Sequence, residues 1–298
     1  MTTMQPDGAL TVEAYAKLNL GLAVGRERDD GYHEIATIFQ SISLSDTLRL
    51  SAASGDSDEL VVRGAPVPTG ADNLILRALA RLRAQTAFAP VRTELTKRIP
   101  VAAGLGGGSS DAAAALVGVV ALHGLSLGQE TLGKAALDVG SDVPFFLSGG
   151  TMRGGGRGEL LEPLPALTGV WFVLATPARA IRAGDAYARA RIGLTDDEGF
   201  IRLICSGIRE RDLPALAGAL RNDLEPGVVS LCPSVSSLKQ QLLASGAAGA
   251  AMSGSGPTVF GIFEKEESAK SAASRLRGRG HTVYVAEPID VGYRISTQ

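Results

Sequence analysis

The sequence predicts an α+β protein built as two domains. A chain of 298 residues is longer than a single hydrophobic core usually fills. Its opening third is patterned as sheet, and its later part alternates helical with strand-like segments. With 45% hydrophobic and 20% charged residues, it has the composition of an ordinary globular chain rather than a disordered or fibrous one.

Leu10, Val12, Ala14 and Ala16 alternate with Thr11, Glu13, Tyr15 and Lys17, the period of a half-buried strand, which puts Lys17 on the less apolar face. Asp29-Asp30-Gly31 makes a turn, and Ile35 to Leu50 is again β-patterned through Ile38, Phe39, Ile42, Leu44 and Leu48. Leu60-Val61-Val62 adds a short strand. Asp72 or Asn73 caps a helix through about Gln85, with Leu74, Ile75, Leu79 and Leu82 on one face. Strand-like Val91 to Arg98 runs through Ile99 into a glycine-rich loop, followed by an alanine-rich helix over Ala112 to Leu122. A helix over Glu130 to Val139 ends at Gly140, placed as a C′ glycine, ahead of Ser141-Asp142-Val143-Pro144-Phe145-Phe146. Residues 149–164 read as a strand-rich exit. The second domain starts near Trp171, with helices at 198–206, 211–220 and 233–245 and strands at Val259 to Phe263 and Val283 to Ala286. The expected division is residues 1–165 and 166–298, and no internal repeat is evident.

Charge excludes some function classes. The 29 Lys+Arg and 31 Asp+Glu are interspersed and sum to −2, so no nucleic-acid or anionic-membrane partner is expected. The longest apolar run, Ala112 to Leu122, is well short of the ~20 residues that span a bilayer. Met1 to Ala16 has neither Lys or Arg nor an apolar core, so no signal or transit peptide is expected and the expected location is cytoplasmic. Cys205 and Cys232 lack partners at metal spacing and are expected to be reduced core thiols. Oligomeric state is not legible.

Glycine is in excess, 37 of 298 residues or about 12% against a usual ~7%, and it clusters at 104–108, 149–158 and 254–256. The run Gly104-Leu105-Gly106-Gly107-Gly108-Ser109-Ser110 opens a helix, an arrangement that converges backbone N–H groups and a positive helix end on phosphate oxygens. It lacks the Gly-Lys-Ser/Thr ending of a Walker A loop and the G-x-G-x-x-G of a dinucleotide site. Four further features have bland readings when taken alone: Lys17 as a snorkelling surface charge, Asp142 as a helix N-cap, Tyr32-His33 as exposed residues after a turn, and Ser253-Gly254-Ser255-Gly256-Pro257 as a turn.

Together these stretches resemble the GHMP kinase superfamily, whose three motifs match Ala14 to Leu22, Pro100 to Ala113 and Ala250 to Phe260. The similarity also runs through Asp30-Gly31-Tyr32-His33-Glu34, Asp72-Asn73-Leu74-Ile75, Gly140 to Phe146 and Asn222-Asp223-Leu224-Glu225. It looks strongest to the branch that phosphorylates a cytidine diphosphate-linked methylerythritol. The resemblance implies an N-terminal domain like the second domain of ribosomal protein S5, a ferredoxin-like C-terminal domain and an active site between them. It implies ATP as co-substrate, with Mg²⁺ accompanying it. Pro100, Val101, Ala102, Ala103, Gly104, Leu105, Gly106, Gly107, Gly108, Ser109 and Ser110 would wrap the phosphates, while Asn73, Leu74 and Lys97 would line the adenine pocket. Tyr32, His33, Asn19 and Tyr187 would meet the acceptor, Asp142 would be the base and Lys17 its partner. The metal ligands are left unassigned, with Ser110 a candidate. The chain departs from the family pattern at Ala183, where a Thr is usual, and in the glycine-rich Arg153 to Gly158, which leaves contact between Arg157 and ligand open. The rival readings are a GHMP kinase for another alcohol, against which Tyr32-His33 argues, and a non-catalytic GHMP-fold regulator, against which the Lys17/Asp142 pair argues.

Overall fold

The computed structural model describes residues 8–190, 199–277 and 280–296. The first half runs β1 (Leu10–Glu27), β2 (His33–Ala52), β3 (Glu59–Arg63), α1 (Leu74–Arg83), β4 (Val91–Thr96), α2 (Gly107–His123), α3 (Gln129–Val139), α4 (Val143–Ser148), β5 (Thr151–Gly155) and β6 (Leu160–Pro163). The second runs β7 (Trp171–Thr176), α5 (Ala183–Tyr187), α6 (Gly199–Glu210), α7 (Leu213–Ala219), β8 (Arg221–Asn222), α8 (Glu225–Leu231), α9 (Ser234–Ala244), β9 (Gly249–Met252), β10 (Val259–Phe263), α10 (Glu266–Arg277), β11 (Thr282–Ala286) and β12 (Tyr293–Ser296). Residues 1–7 of the expected leaderless N-terminus, and residue 198 of the expected helix start, lie outside the described residues.

Among the described residues the strands make two sheets. The larger has the order β12-β1-β2-β4-β3, with β5 and β6 branching from β2 and β8 lying beside β1. The smaller, β11-β7-β10-β9, is antiparallel throughout. With β7, β9, β10 and β11 taken as its first to fourth strands, its order is the 4-1-3-2 of a ferredoxin-like domain. The last strand, β12, crosses back to pair with β1, so a cut between residues 165 and 166 leaves one strand of the first sheet on the far side.

The long central strands β1 and β2 are covered on both sides. Leu10, Val12 and Ala14 pack with residues of α1 and α2, whereas Ala16, Leu18 and Leu20 pack with α6 and the second sheet. Each such buried leucine contributes roughly 1.5–3 kcal/mol of transfer free energy. The change of side occurs at a register shift in the β1/β2 ladder between Tyr15 and Ala16; a second shift follows between Asn19 and Gly21, and Gly21 faces α6 as Leu18 and Leu20 do. Strict alternation puts Lys17 on the less apolar face; in the structure Lys17 is buried beside Gly106, with its Nζ 3.7 Å from Asp142 at the start of α4.

Two other boundaries differ from the sequence reading. Helix α2 begins at Gly107 rather than Ala112, because Gly106 at φ 70° supplies a left-handed N-cap, so Gly107 to Ser110 form the first helical turn. Gly140 at φ 175° is extended backbone and makes no left-handed C′ cap. Asn73 rather than Asp72 caps α1, its Oδ1 accepting from Ile75 N at 2.9 Å.

Candidate active site

The two halves enclose a cavity of about 890 Å³. It is lined by Asn73, Leu74, Lys97 and every residue from Pro100 to Ser109, and also by Lys17, Asn19, Tyr32, His33, Asp142 and Tyr187. Ser110 alone of the predicted set does not line it. Since α2 starts at Gly107, Ser110 sits on the helix's inner face, 1% exposed, and its hydroxyl donates to Tyr15 O at 2.6 Å.

The glycine loop is shaped by close backbone contacts. Gly104 has φ 77°, and a Cβ built there would lie 2.0 Å from Ser253 O and 2.8 Å from Gly256 N. The second small-residue loop therefore faces the first. Ser253 Oγ donates to Gly104 O at 2.9 Å and accepts from Asn19 N at 3.2 Å, while Asn222 Nδ2 donates to both Met252 O and Gly254 O at 2.8 Å. The first N–H groups of α2, which have no intrahelical partners, thus open toward the cavity with the positive end of the helix dipole behind them.

At the foot of this loop Lys17 Nζ lies 3.7 Å from Asp142 Oδ2. Asp142 stands at the N-cap of α4 but makes no side-chain cap bond, so its carboxylate is spent on the lysine rather than the helix. Lys17 is 4% exposed, and burial pushes its ammonium below the ordinary lysine value; the Asp142 carboxylate opposes that shift. Lys17 also donates to Asn19 Oδ1, while Asn19 Nδ2 donates to Thr37 Oγ1 at 2.7 Å and Thr37 Oγ1 donates to Gly21 O at 2.6 Å, a chain that fixes the ammonium's direction.

Behind the loop lies a charge cluster that the sequence reading missed. Lys97 Nζ is held between Asp46 and Asp111, donating to Asp111 Oδ2 at 2.8 Å. Asp46 is fully buried and accepts from the backbone N–H groups of Arg98 and Ile99 as well. Burial lowers the affinity of Lys97 for its proton, but Asp111 and Asp46 outweigh it and hold the ammonium above its usual range. Burial pushes Asp111 up to about 7 against the pull of Lys97, and its Oδ1 has no partner. Lys97→Met removes the countercharge that, among the described residues, is shared by two buried carboxylates, and is expected to cost about 3–5 kcal/mol in urea unfolding. A Lys97→Met/Asp111→Asn double variant is expected to regain part of that loss, because one of the uncompensated charges is then gone.

The far wall is aromatic. The His33 and Tyr187 rings stack at 5.6 Å with an interplanar angle of 17°. Helix α5 spans Ala183–Tyr187, so the i, i+4 spacing turns both residues toward the cavity. Burial and the Asp142 carboxylate push the Tyr187 phenol up, so it stays a neutral donor. His33 Nδ1 lies 3.2 Å from Gly25 O, an atom that only accepts, so Nδ1 carries a hydrogen, the tautomer in which Nε2 is the ring's acceptor. Tyr32 is 52% exposed beside them, with the Arg157 guanidinium 4.8 Å from its ring centroid. Arg157 also lines the cavity; its one sequence signal is a cation inside a glycine run.

Comparison with known proteins accounts for this arrangement. Residues 73–150 match the GHMP kinases N terminal domain and residues 204–282 match GHMP kinases C terminal. The chain is 44% identical to the 4-diphosphocytidyl-2-C-methyl-D-erythritol kinase of Moorella thermoacetica, over 90% of this chain and 95% of that one. A solved 4-(cytidine 5'-diphospho)-2C-methyl-D-erythritol kinase structure superposes with a TM-score of 0.76 at 35% identity, covering 93% of this chain and 99% of the other. A homoserine kinase from Cytophaga hutchinsonii superposes at TM-score 0.81 over 99% of both chains but is only 19% identical, and so shares the fold alone. With both domain profiles matched and relatives aligned over nearly its whole length, the chain belongs to the GHMP kinases.

Proposed function

We propose that the protein transfers the γ-phosphoryl group of ATP to the 2-hydroxyl of 4-diphosphocytidyl-2-C-methyl-D-erythritol, giving the 2-phosphate and ADP. One observation carries the reading: the Lys17–Asp142 pair stands between the glycine loop and the aromatic wall, where a γ-phosphate and an acceptor hydroxyl would meet. The reaction named for the relatives above supports the choice of acceptor.

Adenine would lie against Asn73 and Leu74, with the triphosphate drawn over Pro100 to Ser109 to the start of α2. Cytosine would lie against Tyr32, His33 and Tyr187, where Nε2 of His33 accepts from its exocyclic amine. The methylerythritol 2-hydroxyl then faces Asp142. As its oxygen attacks the γ-phosphorus in line, Asp142 takes the hydroxyl proton and the β–γ bridge oxygen leaves with ADP. Lys17, 3.7 Å from that carboxylate, meets the alkoxide oxygen as charge builds on it. Asn19 and Thr37 keep Lys17 aimed there.

Mg²⁺ would arrive with ATP and neutralise phosphate charge, retaining waters and phosphate oxygens as its main ligands. Among the described residues no group of three His, Cys, Asp or Glu side chains is placed to hold a metal. Ser110 donates its hydroxyl hydrogen to Tyr15 O and does not line the cavity, whereas Asp111, also on α2, lines it and has an unpartnered Oδ1.

Phosphorus NMR of a reaction containing ATP and the cytidylyl acceptor tests this reading. A new phosphomonoester resonance beside an intact diphosphate is expected. A product lacking that resonance, or a broken diphosphate bridge, would overturn the assignment of the acceptor.

A further inference from the structure

Three lining side chains of the cavity are basic: Lys17, Lys97 and Arg157. Two are already committed. Lys17 faces Asp142 and Asn19, and Lys97 is buried between Asp46 and Asp111. The third is held loosely. Arg157 Nη1 is 4.0 Å from Asp30 Oδ2 and its Nε is 3.8 Å from Glu159 Oε1, both longer than a hydrogen bond, so its donor fork remains available.

Its position is set by the turn between β5 and β6. Gly156 at φ 67° and Gly158 at φ 108° let the backbone fold tightly, and Glu159 Oε2 accepts from Arg157 N at 2.5 Å. A Cβ built on Gly158 would lie 3.8 Å from Asp142 Oδ1, so the turn passes beside the carboxylate that would receive the proton. The guanidinium meanwhile lies over the Tyr32 ring at 4.8 Å. Arg157 thus spans the interval between the aromatic wall and the acceptor hydroxyl. In the substrate proposed above, that interval is filled by a diphosphate.

We propose that Arg157 is the diphosphate-binding residue of the acceptor site: its guanidinium leaves Asp30 and Glu159 and forks onto phosphate oxygens while staying stacked on Tyr32. The inference rests on the cytidylyl reading and adds the residue that senses the charge of that acceptor. Arginine suits the task because its planar donors match two phosphate oxygens at once, and Tyr32 limits the rotamers it must give up. It also provides discrimination, since small uncharged acceptors offer nothing to pair with it.

Calorimetric titration with cytidine and with cytidine 5'-diphosphate separates ring stacking from phosphate recognition. Wild-type protein is expected to bind the diphosphate about 10- to 100-fold more tightly than the nucleoside, the range of a charge-assisted pair. Arg157→Ala is expected to bring that ratio close to one with cytidine affinity unchanged, and Arg157→Lys to keep part of the preference. In turnover, Arg157→Ala should raise KM for the cytidylyl acceptor about tenfold or more while KM for ATP is unchanged. An unaltered diphosphate-to-nucleoside ratio in Arg157→Ala would overturn the role of Arg157 and leave the reaction standing. Failure of the wild-type protein to bind either ligand would overturn the cytidylyl reading itself.

Discussion

Asp142→Asn is expected to lower kcat by about 10²- to 10⁴-fold, the usual contribution of a positioned general base, while leaving ATP affinity within about threefold. The amide keeps the shape of the carboxyl group but cannot take the hydroxyl proton. It also removes the carboxylate 3.7 Å from Lys17, which opposes the downward push of burial on the lysine ammonium. Lys17 should then titrate lower still, and stabilisation of the alkoxide is lost with it. The nucleotide contacts proposed above sit on the other side of the pair, on the glycine loop and at Asn73 and Leu74, and would be untouched. Steady-state kinetics beside equilibrium nucleotide binding checks both halves. Unchanged kcat would remove Asp142 from the chemistry, and a matched loss of ATP affinity would mean the substitution had disturbed the loop.

Gly104→Ala is expected to be the most damaging single-methyl change in the site. The residue has φ 77°, which costs an L-residue about 1–2 kcal/mol. The new Cβ would also stand 2.0 Å from Ser253 O and 2.8 Å from Gly256 N, both backbone atoms of a loop pinned by Asn222. Neither loop can yield without breaking the Ser253 Oγ to Gly104 O bond, so the total should reach roughly 3–4 kcal/mol. A fall in Tm of roughly 5–10 °C is expected, with KM for ATP raised at least about tenfold because the glycine loop proposed to hold the phosphates is displaced. Gly31→Ala is the control: φ there is 79°, but nothing lies within 4 Å of the new Cβ, so only the backbone cost of about 1–2 kcal/mol applies. Equal losses at both positions would show that the contact between the two loops carries no weight.

Much of this was legible before the structure, for identifiable reasons. The alternation of Leu10 to Ala16, the Asn73 cap and the strand–glycine loop–helix succession are local patterns, and local patterns survive folding. The small-residue loop at 253–257 was ambiguous by itself and became meaningful once its backbone was seen against Gly104. Lys17 read alone as a surface charge because a bulge is invisible to a period-two pattern: the strand changes side at the Tyr15/Ala16 register shift, and Lys17 is buried. The start of α2 was read five residues late, since glycines and serines are poor helix formers and only the left-handed Gly106 shows where the first turn begins. Asp46 gave no sign at all. Within Leu44-Ser45-Asp46-Thr47-Leu48 it looks like an ordinary solvent-facing acid, and its role as a partner of Lys97 arises from a pairing 51 residues away along the chain.

The central claim is that one cavity selects a cytidylyl alcohol and phosphorylates it from ATP. A coupled ADP-release assay with Mg-ATP, presenting 4-diphosphocytidyl-2-C-methyl-D-erythritol beside homoserine, mevalonate and phosphomevalonate, tests it most directly. Turnover with the cytidylyl acceptor alone is the result expected. Turnover with one of the other alcohols and none with the cytidylyl compound would contradict the claim, sparing the Lys17/Asp142 chemistry but not the reading of Tyr32, His33 and Arg157.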